Sequence, residues 1–500
     1  MNAPAPVYLD YAATTPVDPA VAAVMSECLG PAGPFGNPAS AHAFGRAAAA
    51  RVAEARAQVA ALIGALPQEI VFTSGATESN NLAILGVAAA SADHGRHVIT
   101  MRTEHKAVLD PCRHLERRGA PLTYLSPGAS GVLEPRLLAA ALRPDTVLVS
   151  IMAANSETGV RQDIGALAAL CRERGVTFHC DGAQAVPRVA LDVRSLGVDL
   201  LSFSAHKLYG PKGIGALYVR EGARARVQPV SFGGGQERGL RPGTLAVHQI
   251  AGFGAACELL GRLQPAEGDR LGELGERLWQ GLSGLGGVHR NGAEASRVPG
   301  IENLSFEGVE GESLFSALTG LALSTGSACS SASGEASYVL RALGRDARLA
   351  ESSLRFSLGR FTTAADLDRA VSEVRQVVER LRALSPAAAG AAWGRDAPPG
   401  SVTGEAGAQG QGTWVRFQLL TEGDTVKEAR CLAFACPHTV DTAQWLCERL
   451  RGRSRRDLIP GAPREWAQAR AVPVEKLGRL LVVEDALLAC LTQWNEGATI

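Results

Sequence analysis

Ser204-Ala205-His206-Lys207-Leu208-Tyr209-Gly210 closes an apolar, strand-like run that begins at residue 200. It carries one of only five lysines among 50 basic residues, so arginine supplies nearly all the positive charge and a retained lysine invites a chemical reason. An amine can condense with an aldehyde, whereas a guanidinium cannot. Before residue 386 the only other lysines are Lys106 and Lys212. A solvated surface lysine is the competing reading, and the neighbours of Lys207 decide between the two.

Upstream, the β-type run Val176 to Cys180 delivers Asp181 at its end, followed by Gly182, Ala183 and Gln184. A carboxylate so placed can pair with a protonated pyridine nitrogen. Pyridoxal phosphate needs this partner, because a ring held positive withdraws electrons from a substrate Cα. Gln184 could donate to the ring phenolate oxygen. Alone, such an aspartate is more often a helix cap. A phosphate cradle is readable at Glu69 to Glu78, where a strand enters the turn Ser74-Gly75-Ala76-Thr77 and then a helix, whose free N–H groups would face an anion. Thr103-Glu104-His105-Lys106 follows the strand His97 to Thr100, placing His105 at a carboxyl end, where α/β sheets bind ligands. His105 could stack on the pyridine ring.

Tyr8 to Pro16, Phe35 to Ser40, Phe72 to Asn80, Thr103 to Lys106, Ser202 to Gly215 and Arg355 to Arg360 occur in an order that resembles the cysteine desulfurases of the fold-type I pyridoxal phosphate enzymes. The resemblance runs from about residue 7 to 384, and Ser324 to Ser333 matches the active-site arm of the long-loop group that serves iron-sulfur cluster assembly. It implies an α/β fold with a mostly parallel large domain and an α+β small domain, with pyridoxal 5'-phosphate as cofactor. Lys207 would carry the cofactor and remove the Cα proton of L-cysteine. Cys329 would take the sulfur as a persulfide, and Arg355 would grip the substrate carboxylate with Asn37 beside it. His105 would stack on the ring and move protons, while Ala76, Thr77, Ser204 and His206 would hold phosphate. Thr244 would reach the phosphate of a neighbouring subunit, which implies a homodimer. Where the family shows paired asparagines this chain reads Asn155-Ser156, so the ring contact falls to Ser156 or shifts to Asn155.

Cys329 lies among Ser, Thr, Gly and Ala residues with little apolar surface to bury, and the segment is expected to be a mobile loop. A travelling thiol can visit a buried site and the surface in turn. A selenocysteine lyase or another fold-type I eliminase or aminotransferase is the rival enzyme, and a catalytically silent protein that presents its tail is the rival of another class.

The 500 residues and 46% hydrophobic content suit several domains of ordinary core size. Formal charge is zero, which advertises neither nucleic acid nor an anionic membrane as a partner. No signal pattern precedes Tyr8 and no run approaches the ~20 apolar residues that span a bilayer, so a cytoplasmic chain with reduced cysteines is expected. Strand-like runs at 69 to 74, 97 to 100, 146 to 151, 176 to 180, 200 to 204 and 214 to 219 alternate with helical stretches, the pattern of a parallel sheet. The expected division is an N-terminal segment 1–20 packing with the small domain, a large domain 21–259, a small domain 260–384, a flexible linker 385–412 rich in Ala, Gly and Pro, and a C-terminal domain 413–500.

That last domain holds four of six tryptophans and four of ten cysteines, with a hairpin expected at 415–434 and helices at 438–450 and 483–491. It resembles the U-type iron-sulfur scaffold proteins. Of their three cysteines and aspartate only Cys436 is kept, with Gln411, Thr413 and Arg479 at the other places. A cluster needs about four thiolate-class ligands, so the domain would not hold one unaided. Two readings of the tail remain: a degenerate scaffold that docks or relays sulfur through Cys436, and a structural appendage with a buried cysteine.

Overall fold

The computed structural model describes residues 5–91, 95–325, 336–384, 398 and 401–496. A seven-stranded sheet forms its largest layer, in the order Ile70–Thr73, Gly215–Val219, Leu200–Ser204, Thr177–Asp181, Thr146–Ser150, His97–Met101 and Leu122–Leu125. Gly215–Val219 runs against both neighbours, and the other pairings are parallel. Strands such as Ile70–Thr73 and Leu200–Ser204 are buried along their whole length, which is why they read as continuous apolar runs. The edge strand Leu122–Leu125 was not anticipated, because it is half exposed and carries no such run.

Parallel strands deliver their carboxyl ends to one rim. There Thr73 leads into the turn before the helix Ala76–Ala90, Asp181 ends its strand, and Ser204 leads into the short turn Ala205–Lys207. The turn before Ala76–Ala90 and the strand Gly215–Val219 touch at glycines: a Cβ on Gly215 would stand 2.6 Å from the Gly75 Cα, so Gly215 tolerates no side chain.

A second sheet, in the order Ser324–Thr325, Ser353–Ser357, Ile301–Phe306 and Val288–Arg290, is antiparallel throughout. Its inner face, including Leu304, Phe306, Leu354 and Phe356, packs on Leu278 and Leu282 of one helix and Val374 and Val378 of another. Val7–Tyr8 pairs in parallel with Leu321–Ala322, and Leu9 enters the same core. The helix Val247–Ser283 runs 37 residues without a break. Its first turns place Ile250, Phe253 and Cys257 in the large core, and its last turns place Leu274, Leu278 and Leu282 in the second. A division at 259/260 therefore falls inside one rigid rod.

The C-terminal unit is a three-stranded antiparallel sheet, Ser401–Ala408, Thr413–Glu422 and Thr425–Phe434, covered by the helices Pro437–Leu450, Pro463–Ala469 and Leu477–Glu496. This corrects the expected linker at its later end: residues 401–408 are a strand of the domain. The small residues there serve close packing. A Cβ on Gly404 would lie 2.2 Å from the Ala486 carbonyl oxygen, so the strand crosses the helix Leu477–Glu496 backbone to backbone.

This unit sits on the second domain through polar contacts. Ser313 Oγ donates to the Ala435 carbonyl at 2.7 Å, Ala433 N donates to the Leu384 carbonyl at 2.8 Å, and Lys476 pairs with Glu312 at 2.7 Å. No helix among the described residues is long and apolar enough to cross a membrane.

Candidate active site

The rim of the large sheet opens into a cavity of about 650 Å³. Lys207 reaches it from the turn after Leu200–Ser204, and its Nζ donates to the carbonyls of Ala12 and, at 2.8 Å, Ala13. Burial, with the nearby Arg355 guanidinium adding to it, lowers the amine to about 8. Asp181 lines the same cavity, buried, accepting from Asn80 Nδ2 at 2.7 Å and from Ala183 N at 2.9 Å. Two residues earlier His179 hydrogen-bonds Ser150 Oγ at 2.8 Å and Ser202 Oγ at 2.9 Å. Burial lowers that imidazole to about 4, so it is neutral.

Ala76 and Thr77 begin a helix whose cap, Gly75, brings no side-chain oxygen, and both residues line the cavity. Their N–H groups and the positive end of the helix are thereby left for an anion. Ser204 Oγ, donating to the Ile214 carbonyl at 3.4 Å, and His206, whose Nδ1 meets Thr14 Oγ1 at 3.1 Å, stand opposite. Burial, then Lys207 and Lys212, lower His206 to about 4. His105 also lines the cavity and caps the helix Lys106–Arg117, its Nδ1 accepting from Ala107 N at 3.1 Å. A ring nitrogen that accepts carries no proton, so the neutral ring holds its proton on Nε2. Gln184 is buried in the lining and donates from Nε2 to the Ala12 carbonyl at 2.8 Å.

Two expected contacts are placed differently. Asn155 does not line the cavity: its Nδ2 donates to the Thr103 carbonyl at 3.0 Å, and its Oδ1 accepts from Glu157 N and Thr158 N, each at 2.9 Å. Its amide is spent on bracing the turn, and of the two candidates Ser156 is the one in the lining. Asn37 is exposed, caps its own turn by accepting from Ala39 N at 3.0 Å, and is absent from the lining. Thr244, expected to serve a neighbouring subunit, is exposed and outside this chain's own cavity. Nearby, Arg241 pairs with Glu78 at 2.9 Å and holds the segment to the cradle.

Arg355, on the strand Ser353–Ser357, is buried and lines the cavity. Its Nη2 pairs with Asp10 at 2.7 Å and its Nη1 donates to the Ser156 carbonyl at 3.0 Å. Its Nε is buried with no partner among the described residues. Asp10 was not singled out from the sequence, although it lay in the Tyr8 to Pro16 stretch. It also accepts from Ser324 Oγ at 2.8 Å. Tyr338 was missed too: it lines the cavity and donates from its hydroxyl to the Glu104 carbonyl at 2.7 Å. Cys329 lies outside the described residues. Cys436 is buried, with Sγ 3.2 Å from Thr439 Oγ1 and the Arg479 guanidinium in its electrostatic neighbourhood.

An amine, a buried carboxylate, an uncapped helix start and an imidazole around one cavity suit the aldehyde, ring nitrogen, phosphate and ring face of pyridoxal phosphate. The donor set fits that group.

The aminotransferase class-V family matches residues 7–370 of the chain, ending before the C-terminal sheet begins. Its curated relatives include the cysteine desulfurase IscS of Pectobacterium atrosepticum and that of Azotobacter vinelandii, each 56% identical over 382 residues, 76% of this chain and 95% of the relative. Among solved structures, a NifS-like protein superposes with a TM-score of 0.70 at 34% identity, covering 75% of this chain and 100% of the other. SspA in complex with cysteine superposes at 0.65 and 37% identity, covering 71% and 99%.

Proposed function

The chain belongs to the aminotransferase class-V family, and from that premise we propose that it is a cysteine desulfurase. It uses pyridoxal phosphate to strip sulfur from L-cysteine, releases L-alanine, and supplies the sulfur for iron-sulfur cluster assembly or tRNA thiolation. The observation that carries this is Lys207, a buried amine lowered to about 8 in one cavity with Asp181 and an uncapped helix start.

Bound pyridoxal phosphate supplies an aldehyde for an amine and a ring that draws electrons from a substrate Cα. Ala76, Thr77, Ser204 and His206 hold its phosphate, Asp181 accepts from its ring N–H, and Ser156, His105 and Gln184 line its ring. With its value near 8, Lys207 is partly neutral at neutral pH, and its Nζ takes the substrate Cα proton. Arg355 binds the carboxylate, using the unpartnered Nε and the donor it now gives to Asp10. His105, with its proton on Nε2, acts as a donor toward the cavity. Cys329, by the family resemblance, forms an S–S bond with the substrate sulfur as the Cβ–Sγ bond breaks, and the electron pair stays with the carbon, which gains a proton.

Borohydride reduction should lock the cofactor onto Lys207 of the wild-type chain, and Lys207→Ala should lose both the adduct and cysteine-dependent alanine. Alanine release with no persulfide on Cys329 would favour a lyase and overturn the sulfur-transfer reading.

The exposed Thr244, beside the Arg241–Glu78 pair, supports a homodimer in which it completes the partner's phosphate site. We propose for the C-terminal domain a U-type scaffold-like unit kept for docking, in a cytoplasmic enzyme that hands sulfur to an acceptor protein. The burial of Cys436 and the guanidinium beside it support docking over relay.

A further inference from the structure

Arg355 is the cation asked to hold the substrate carboxylate, and it already holds one. Asp10 Oδ1 accepts from its Nη2 at 2.7 Å and from Ser324 Oγ at 2.8 Å. Nε and Nη2 lie along one edge of a guanidinium, the edge that grips a carboxylate with two prongs, as Arg143 grips Asp145 at 2.9 and 2.8 Å. On Arg355 that edge is half used. Its Nη2 is given to Asp10, while Nε is buried with no partner among the described residues. Its Nη1 is taken by the Ser156 carbonyl at 3.0 Å. A substrate carboxylate that takes the edge with both oxygens therefore needs the place of Asp10.

Asp10 is not required to place Arg355. That residue sits in the middle of the strand Ser353–Ser357, paired with Asn303 on one side and Ser324 on the other. The Asp10 backbone is fixed as well, by its bridge to Ser357 and by Ala13 N, which donates to its carbonyl at 2.9 Å. Only the Asp10 side chain has room to move. It is 21% exposed against 4% for Arg355, so a released carboxylate can turn to water where the guanidinium cannot. A buried guanidinium without a counter-charge is costly, and two carboxylates on one edge repel.

We propose that Asp10 is a stand-in for the substrate carboxylate: a specificity-determining residue that neutralises Arg355 while the site is empty and yields Nη2 to the carboxylate of an arriving α-amino acid. Binding then exchanges one ion pair for another. A ligand without a carboxylate cannot make the exchange and leaves Arg355 with Asp10. The Ser324 hydroxyl steadies Asp10 in the empty arrangement, so the substrate shifts a balance between two positions of one side chain. The affinity for cysteine is accordingly reduced by the hold of Asp10 on the same guanidinium. The inference rests on the reading of Arg355 as the carboxylate-binding residue of the proposed reaction and is independent of the sulfur chemistry.

The test titrates L-alanine into the full-length holoenzyme by calorimetry, beside ethylamine, which is the same amine without the carboxylate. Asp10→Asn keeps the shape and removes the competing charge. It should tighten L-alanine binding by ~10-fold and lower KM for cysteine in step, while ethylamine binds both proteins alike. Without ligand the variant should melt at a lower temperature than the wild type, and saturating L-alanine should raise its Tm by more. Ser324→Ala leaves the ion pair in place, so it should tighten L-alanine binding by a smaller factor, and it carries the test if Asp10→Asn does not fold. Unchanged or weaker L-alanine binding in either variant, or an equal gain for ethylamine, overturns the proposal. The expected exchange in a chain that makes no alanine from cysteine would overturn the desulfurase reading and leave the role of Asp10 standing.

Discussion

Lys207 is the residue on which the chemistry turns, and its environment sets a pH dependence. Burial disfavours the ammonium, so the amine loses its proton near pH 8 rather than near the ordinary 10.5. Only the neutral amine attacks an aldehyde. Capture of pyridoxal phosphate by the apoenzyme should therefore accelerate as pH rises through about 8 and level off above it, followed by absorbance in a stopped-flow series. A midpoint near 10.5 would show an amine open to water. Arg355 gives a second expectation at this scale. Its planar fork is divided among Asp10, Ser156 and a free Nε, a geometry a lysine cannot copy. Arg355→Lys should cut kcat/KM for cysteine by at least ~10-fold, the loss of about 1.5–3 kcal/mol carried by a charged hydrogen bond.

Glu104 was read from its motif only as the neighbour of His105. Its carboxyl is buried, Oε1 accepts from Met152 N at 2.8 Å, and burial holds it well above the usual carboxylate range.

At the scale of elements, the strand Thr177–Asp181 joins a catalytic end to a buried histidine. His179 titrates near 4 in the fold against an ordinary 6.5, so the unfolded chain binds the proton first as pH falls. Its contribution is whole above 6.5 and is lost between 6.5 and 4, at up to ~1.4 kcal/mol per pH unit. Urea unfolding of His179→Asn should show a flatter stability profile over that window than the wild type. The strand Ser401–Ala408 makes a different point. Its glycine and alanine content reads as tether, yet ladder pairing uses backbone groups alone, and Gly404 lets a helix close on it. Gly404→Val should destabilise the C-terminal unit by several kcal/mol, the scale of a severe core lesion. Calorimetry should show a lowered C-terminal transition with unchanged alanine production.

For the whole molecule, the C-terminal unit is bound to the second domain by Lys476 and Arg479 facing Glu310 and Glu312. Arg479 stands against Cys436, so the docked surface and the kept cysteine are one place. Lys476→Glu with Arg479→Glu should speed alkylation of Cys436 by iodoacetamide, read by peptide mass spectrometry. Adding Glu310→Lys and Glu312→Lys should restore protection if charge pairing holds the domains together. Unchanged labelling would mean that packing alone closes the interface.

Lys207, Asp181, His105 and the Ser74-to-Thr77 turn were legible because each follows a strand whose apolar run is continuous, and parallel strands bring their ends to one rim. That periodicity also carried the large sheet, with its edge strand Leu122–Leu125 escaping because half-buried strands lack the run. What only the tertiary structure decided is long range. Asp10 meets Arg355 across most of the chain, and Asn155 turns away while Ser156 joins the cavity lining. Local sequence sets strand, turn and helix through spacing and backbone chemistry. Which side chain has donors to spare depends on distant packing that no local pattern encodes.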